Sequence, residues 1–171
     1  MVWRWSAITR WPTLEGFAMP ILEQSATRGS QDPTLFLVED NRADAILLKK
    51  LFFEDGFTGS LNWVSDGAQA LDYLFRRDLF PEVGLPELIL LDLNLPRVDG
   101  REVLKQIVFN EQTKRIPVIV LSTSNRARDI EECMDKGAAS FYTKPTELAG
   151  LRQLVERLKS VEFPRLGVGR R

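Results

Sequence analysis

The chain contains no histidine. Without imidazole, a His-ligated zinc site, a Ser-His-Asp triad, a Cys-His dyad and a phosphohistidine carried on this chain are all excluded. Cysteine is nearly missing too. Cys133 stands alone and cannot close an intramolecular disulfide, so nothing points to an oxidising compartment. Its expected role is that of a small, half-buried apolar side chain. Neither sign of charge is in excess, with 23 Lys and Arg against 24 Asp and Glu and a formal charge of -1. No nucleic acid and no anionic membrane surface is therefore expected as a partner. A signal-peptide core and long apolar runs are also lacking, so a cytoplasmic protein with no membrane contact is the expectation.

What is present fits one ordinary domain with some chain to spare. The 171 residues are 44% hydrophobic and 27% charged, close to soluble globular averages, and long enough to bury a core without staples. Residues 1–32 read as a poorly ordered N-terminal extension. Trp3, Trp5 and Trp11 crowd its first eleven positions, no helical or alternating period runs through it, and Met19 offers an alternative first residue. The domain is expected over 33–163, followed by a short basic tail, 164–171, with Arg165, Arg170 and Arg171.

From Pro33 onward, short apolar runs alternate with helical periods. Thr34 to Val38, Ser60 to Val64, Leu88 to Leu91, Ile116 to Leu121 and Ser140 to Thr143 read as strands. Between them, Ile46, Leu47, Leu48, Leu51 and Phe52 recur at helical spacing, as do Ala70, Leu71, Leu74 and Phe75, then Val103, Leu104, Ile107 and Val108. Ser124 is expected to cap a helix running to Lys136, with Gly137 as its stop. Leu148, Leu151, Leu154, Val155, Leu158 and Val161 mark one face of a last helix. Five strands and five helices in alternation predict a doubly wound α/β domain, a parallel sheet with helices on both faces. In such sheets functional side chains collect past the carboxyl ends of the strands.

Those strand ends carry Glu39 and Asp40, then Asp92, Ser122 and Lys144. Any one of the acids alone would serve as an ordinary helix or turn cap. Together they are harder to dismiss, since two like charges ~4 Å apart at an effective dielectric near 20 repel by about 4 kcal/mol. Lys144 supplies one positive charge, and a divalent cation with oxygen ligands, Mg²⁺ being suitable, supplies two more.

At this point the residues resemble the receiver domains of two-component response regulators. The likeness runs from Pro33 to about Val161. It rests on Leu37-Val38-Glu39-Asp40-Asn41, on Leu90-Leu91-Asp92-Leu93-Asn94-Leu95-Pro96 followed by Asp99-Gly100, on Leu121-Ser122-Thr123-Ser124, and on Thr143-Lys144-Pro145. The resemblance implies the flavodoxin-like strand order 2-1-3-4-5. It also implies Asp92 as phosphoacceptor, Asp40 and Asp92 as direct Mg²⁺ ligands with the backbone carbonyl of Asn94, and Glu39 contacting the ion through water. Ser122 falls at the switch hydroxyl, Lys144 at the lysine that pairs with the phosphoryl group, and Phe141 at the aromatic switch position. Lacking a phenol hydroxyl, Phe141 can signal only by how it packs. The family often shows a cis bond before the proline that follows the lysine, here Lys144-Pro145.

Function follows from the same likeness: a single-domain response regulator that accepts a phosphoryl group from a sensor histidine kinase and signals through a protein-interaction surface. Val38-Glu39-Asp40-Asn41 with Ala43-Asp44, the long stretch from Arg77 to Glu87, and Arg115-Ile116-Pro117-Val118 resemble the subgroup associated with phytochromes. That likeness implies a bacterial phytochrome as the kinase, a downstream protein target and a homodimer through the face of helix four, strand five and helix five. Two alternatives stand beside this reading. A phosphohydrolase of the haloacid dehalogenase type also uses an aspartyl nucleophile but needs a second Asp two residues on, where this chain has Asn94. A degenerate receiver would serve only as a binding scaffold, although every acidic, hydroxyl and ammonium position is filled.

Overall fold

The computed structural model describes residues 33–54, 56–77 and 84–162. The extension 1–32, the tail 164–171 and much of the stretch after Arg77 lie outside the described residues. Five strands, β1 (Thr34–Val38), β2 (Ser60–Val64), β3 (Leu88–Asp92), β4 (Val118–Ser122) and β5 (Ser140–Thr143), form one sheet in the order β2-β1-β3-β4-β5. Every pairing is parallel. The helices are α1 (Arg42–Glu54), α2 (Gly67–Leu74), α3 (Gly100–Phe109), α4 (Ala127–Asp135) and α5 (Leu148–Arg157), and a π-helical turn, Leu158–Glu162, extends the last.

The inner strands β1, β3 and β4 are nearly continuously apolar because both their faces are covered, whereas the edge strands β2 and β5 are only partly buried, and the two-residue period sorts the core into two layers. Leu35, Leu37, Leu88, Leu90, Ile119 and Leu121 pack with Leu48, Phe52, Leu151 and Val155 of α1 and α5. Phe36, Val38, Ile89, Leu91, Val118 and Val120 pack with Ala70, Val103, Ile107 and Cys133 of α2, α3 and α4. Cys133 is thus an apolar filler as expected, but fully buried in the second layer and not half-buried, because it faces the sheet from α4.

Besides shifts of one residue at the ends of β3 and α4, the structure departs from the sequence reading in three places. β4 starts at Val118, not Ile116, because Pro117 has no N–H to give the ladder, although its carbonyl still accepts from Ile89 at 3.1 Å. Ser124 does not cap α4. Arg126 holds that position, and the Ser124 hydroxyl is instead bonded to Asp129 in the helix's first turn. Leu148 stays 53% exposed, since side chains lean toward a helix N-terminus and that of a first residue projects past the helix. The side chain of Val161 lies outside the described residues. The Lys144-Pro145 bond is trans, the form that X-Pro bonds favour by about 0.5–1 kcal/mol.

One glycine ties the helix layer to the strand end where the acids meet. A Cβ on Gly100 would stand 2.2 Å from the Asp92 carbonyl oxygen and 2.6 Å from the Leu93 Cα, both backbone atoms that cannot rotate away. Gly100→Ala is therefore expected to destabilise the fold by about 3 kcal/mol despite alanine's better helix propensity, read as a fall in the urea midpoint at constant m.

Candidate functional site

Strand order reverses between β1 and β3, which leave the sheet in opposite directions of winding and open a crevice at their carboxyl ends. Glu39 and Asp40 follow β1 directly, and Asp92 is the last residue of β3. One carboxylate oxygen from each of the three lies within 4.8 Å of the others. Glu39 and Asp92 are 1% and 4% exposed, whereas Asp40 faces solvent.

The charge between them comes from Lys144, just past β5. Its ammonium donates to Oδ2 of Asp92 at 2.6 Å and to Oε2 of Glu39 at 2.5 Å, and its side chain is only 10% exposed. Asp44, in the first turn of α1, faces the same ammonium at 3.8 Å. The lysine is aimed by its backbone, whose N–H donates to the Ser122 carbonyl at 2.8 Å. Burial opposes the Lys144 ammonium, but its bonds to Asp92 and Glu39 outweigh that effect and hold its pKa above the ordinary lysine value. Glu39 goes the other way. Burial pushes its carboxyl up to about 7, more than Lys144 pulls it down, and the Asp92 charge adds to the rise.

Ser122, the last residue of β4, is 1% exposed, and its Oγ accepts the Ser124 N–H at 3.2 Å. The Asn94 N–H donates to Oδ1 of Asp92 at 3.1 Å, which brings its backbone to the acidic cluster, while its side-chain amide reaches Thr123 Oγ1 at 3.4 Å. Phe141 on β5 is half-buried against the α2, α3 and α4 layer, with Val120 as its register partner. Glu39, Asp40, Asp92, Asn94 and Lys144 therefore meet at one edge, with Ser122 on the adjacent strand end, while Phe141 sits one strand further out.

Two neighbours were not legible as site residues. The Trp63 indole N–H donates to the Glu39 carbonyl at 2.8 Å, pinning the first acidic residue from β2. Asp44 reads on its own as a helix first-turn acid, and only the fold turns it toward Lys144. The pairing of strands one and two was the sole available hint for Trp63, since it places Trp63 across from Leu37, two residues before Glu39.

The donor set suits a hard divalent cation. Carboxylate oxygens of Glu39, Asp40 and Asp92 already within 4.8 Å of one another would need little movement to hold one such ion, which would offset their mutual repulsion.

Residues 35–156 match the family model described as the response regulator receiver domain. The chain is 43% identical over 131 residues to the probable methanogenesis regulatory protein FilR2 of Methanothrix harundinacea, covering 76% of this chain and 84% of that one. It is 36% identical over 126 residues to response regulator Rcp1 of Synechocystis, covering 74% and 86%. A crystal structure of the Mn²⁺-bound form of Rcp1 superposes with a TM-score of 0.73 at 35% identity, covering 77% of this chain and 94% of that one. The phosphorylated cyanobacterial phytochrome response regulator RcpA is similar at 40% identity with a TM-score of 0.73, covering 75% and 92%.

Proposed function

Because this chain belongs to the response regulator receiver family, we propose that Asp92 is the residue that accepts its phosphoryl group and that a sensor histidine kinase supplies it. The observation that carries this reading is the Lys144 ammonium set between Glu39 and Asp92 beside Asp40. An Asp92 carboxylate oxygen attacks phosphorus in line. The bond to the donor's imidazole nitrogen breaks, and its electron pair leaves with the imidazole, which is then free to take up a proton. Asp40, Asp92 and the Asn94 carbonyl are the residues that would hold Mg²⁺, with Glu39 acting through water, and the Mn²⁺-bound form of Rcp1 supports a divalent ion at such a site. When bound, the ion supplies positive charge to the non-bridging phosphoryl oxygens.

Lys144 shifts from the carboxylates to the new phosphoryl group, whose charge of roughly -2 exceeds that of the acid it replaces. Ser122 turns its hydroxyl from accepting the Ser124 N–H to donating to a phosphoryl oxygen. Its movement opens space toward which half-buried Phe141 can turn, and the face of α4, β5 and α5 changes for a downstream protein or a second copy of the chain. A differential interaction of about 5.5 kcal/mol would drive such a switch from 1:99 to 99:1. Likeness to RcpA and Rcp1 makes a phytochrome the kinase to try first. Among the described residues no helix is long and apolar enough to cross a membrane. A sustained phosphohydrolase is disfavoured by Asn94, whose amide cannot exchange the proton that fast turnover needs.

Acetyl phosphate with Mg²⁺ is expected to label the protein with one phosphoryl group, lost on chelation before donor is added, as read by intact-mass spectrometry. Continued phosphate release from generic monoesters without standing label would point to a hydrolase. Absence of label from acetyl phosphate and from phosphorylated kinases alike would leave only a scaffold.

A further inference from the structure

The loop between β3 and α3 contains a distorted turn. The Val98 N–H donates to the Pro96 carbonyl at 2.8 Å, and Arg97 between them has φ 68. A hydrogen bond spanning three residues about a centre at positive φ is the rarer and more strained kind of γ-turn, and arginine, unlike glycine, does not adopt that region freely. The start of α2 grips this turn at two points. The Gly67 N–H donates to the same Pro96 carbonyl at 3.3 Å, and Oδ2 of Asp66 meets Nη1 of Arg97 at 3.3 Å. Asp66 is 5% exposed and caps α2, accepting from the Gln69 backbone N–H at 2.8 Å and from its side-chain amide at 2.7 Å. Gly67 permits the close approach, since a Cβ there would stand 2.0 Å from the Val98 carbonyl oxygen.

The turn is coupled to the acidic cluster through a short, closed loop. The Leu93 carbonyl accepts both the Leu95 N–H at 3.0 Å and the Gly100 N–H at 2.9 Å. Asn94 lies inside the first of those bonds, with its own N–H on Asp92 Oδ1. A loop tied at both ends and across its middle transmits a change at residue 97 to residue 94 instead of absorbing it.

We propose that Arg97 is a positioning residue for the divalent-cation site: its ion pair with Asp66 holds the strained turn, and the turn sets where the Asn94 carbonyl stands relative to Asp40 and Asp92. The proposal rests on the reading of that carbonyl as a ligand. It differs from an ordinary surface ion pair in one respect that can be measured, because the strain requires a β carbon at residue 97 and the ion pair requires a guanidinium. Arg97→Ala keeps the strain and loses the pair, whereas Arg97→Gly loses both.

The test compares the wild type with Arg97→Ala, Arg97→Gly and Asp66→Asn, the last of which keeps a good helix cap. Two quantities are read: exchange of the Val98 amide by NMR without metal, and Mg²⁺ affinity by calorimetry. Arg97→Ala and Asp66→Asn are expected to speed Val98 exchange and weaken Mg²⁺ binding by about tenfold each. Arg97→Gly is expected to stay within about threefold of wild type in both. Wild-type behaviour of Arg97→Ala, an Arg97→Gly as impaired as Arg97→Ala, or faster exchange with unchanged Mg²⁺ affinity would each overturn the proposal. A wild-type chain that accepts phosphoryl groups but binds Mg²⁺ without regard to any of these variants sinks this inference alone. One that neither binds Mg²⁺ nor takes label sinks the proposed function, and with it the ligand role of Asn94.

Discussion

Asp92→Asn is expected to reduce phosphoryl labelling to background, below about one thousandth of wild type, with acetyl phosphate and Mg²⁺ as donor and metal. The amide oxygen is a poor nucleophile, and the variant also removes one of the carboxylates expected to hold the ion. The loss should not come from unfolding. Asp92 adds to the charge repulsion that raises the Glu39 pKa, so its neutralisation relieves the buried cluster, and Lys144 retains Glu39 at 2.5 Å. The metal-free variant should therefore melt at or above the wild-type temperature. Asp40 provides the internal control, since it is an exposed carboxylate in the same cluster. Asp92 differs from it in being buried at a strand end, with Lys144 at 2.6 Å and the Asn94 N–H at 3.1 Å fixing its two oxygens. Peptide mapping of label to Asp40 in the wild type, or undiminished label in Asp92→Asn, would contradict the assignment.

Lys144→Met is expected to have the second largest effect, and in two separate measurements. It leaves the carboxylates of Glu39 and Asp92, 1% and 5% exposed at the side chain, with no ammonium between them. Removing one partner of a buried ion pair destabilises by about 3–5 kcal/mol, because the remaining charge stays desolvated. The deficit should appear in chelator at pH 8 and shrink with millimolar Mg²⁺, which replaces the missing charge. It should also shrink on acidification. Glu39 already has its pKa raised from 4.5 to about 7 in the fold, so between those values the folded state holds a proton that the unfolded chain has released, and stability falls as pH rises through that window. Without Lys144 pulling it down the carboxyl rises further, so the variant's deficit is greatest above pH 7 and least near pH 5. In the labelling assay the same variant should lose most of its phosphotransfer even with Mg²⁺, since nothing then meets the second set of phosphoryl charges. A variant as stable as wild type in chelator at pH 8 would show that Lys144 does not neutralise the cluster.

How much of this was legible in the chain depends on the range of the interaction. β1, β3 and β5 were readable to within a residue because the signals are local: apolar runs buried on both faces and ended by carboxylates for β1 and β3, and a short, half-buried aromatic pair ended by Lys-Pro for β5. The start of β4 and the cap of α4 were misread for equally local reasons that pattern matching hid. Pro117 supplies a carbonyl but no donor, and Ser124 sits two residues ahead of the cap, its hydroxyl bonded to the Asp129 side chain and to the N–H of Arg126 at 3.3 Å. The acidic cluster was readable at a distance, because parallel strands all end on the same side and the crevice at the reversal of strand order gathers whatever follows them.

The sequence by itself settled the doubly wound α/β architecture, the strand order expected from family likeness, the absence of any imidazole chemistry and the acidic, hydroxyl and ammonium residues that follow the strands. Tertiary structure alone decided which of them touch. Lys144 reaches Glu39 across 105 residues and Asp92 across 52, the Trp63 indole reaches the Glu39 carbonyl across 24, and Arg97 reaches Asp66 across 31. None of these contacts has a periodic or propensity signal, because their energies arise only after the sheet has closed off solvent. Burial then raises Glu39, the bonds from Asp92 and Glu39 keep the ammonium between the two acids against the cost of burial, and hydrogen bonds of the loop and of α2 accompany Arg97 in a conformation that its own backbone preference opposes.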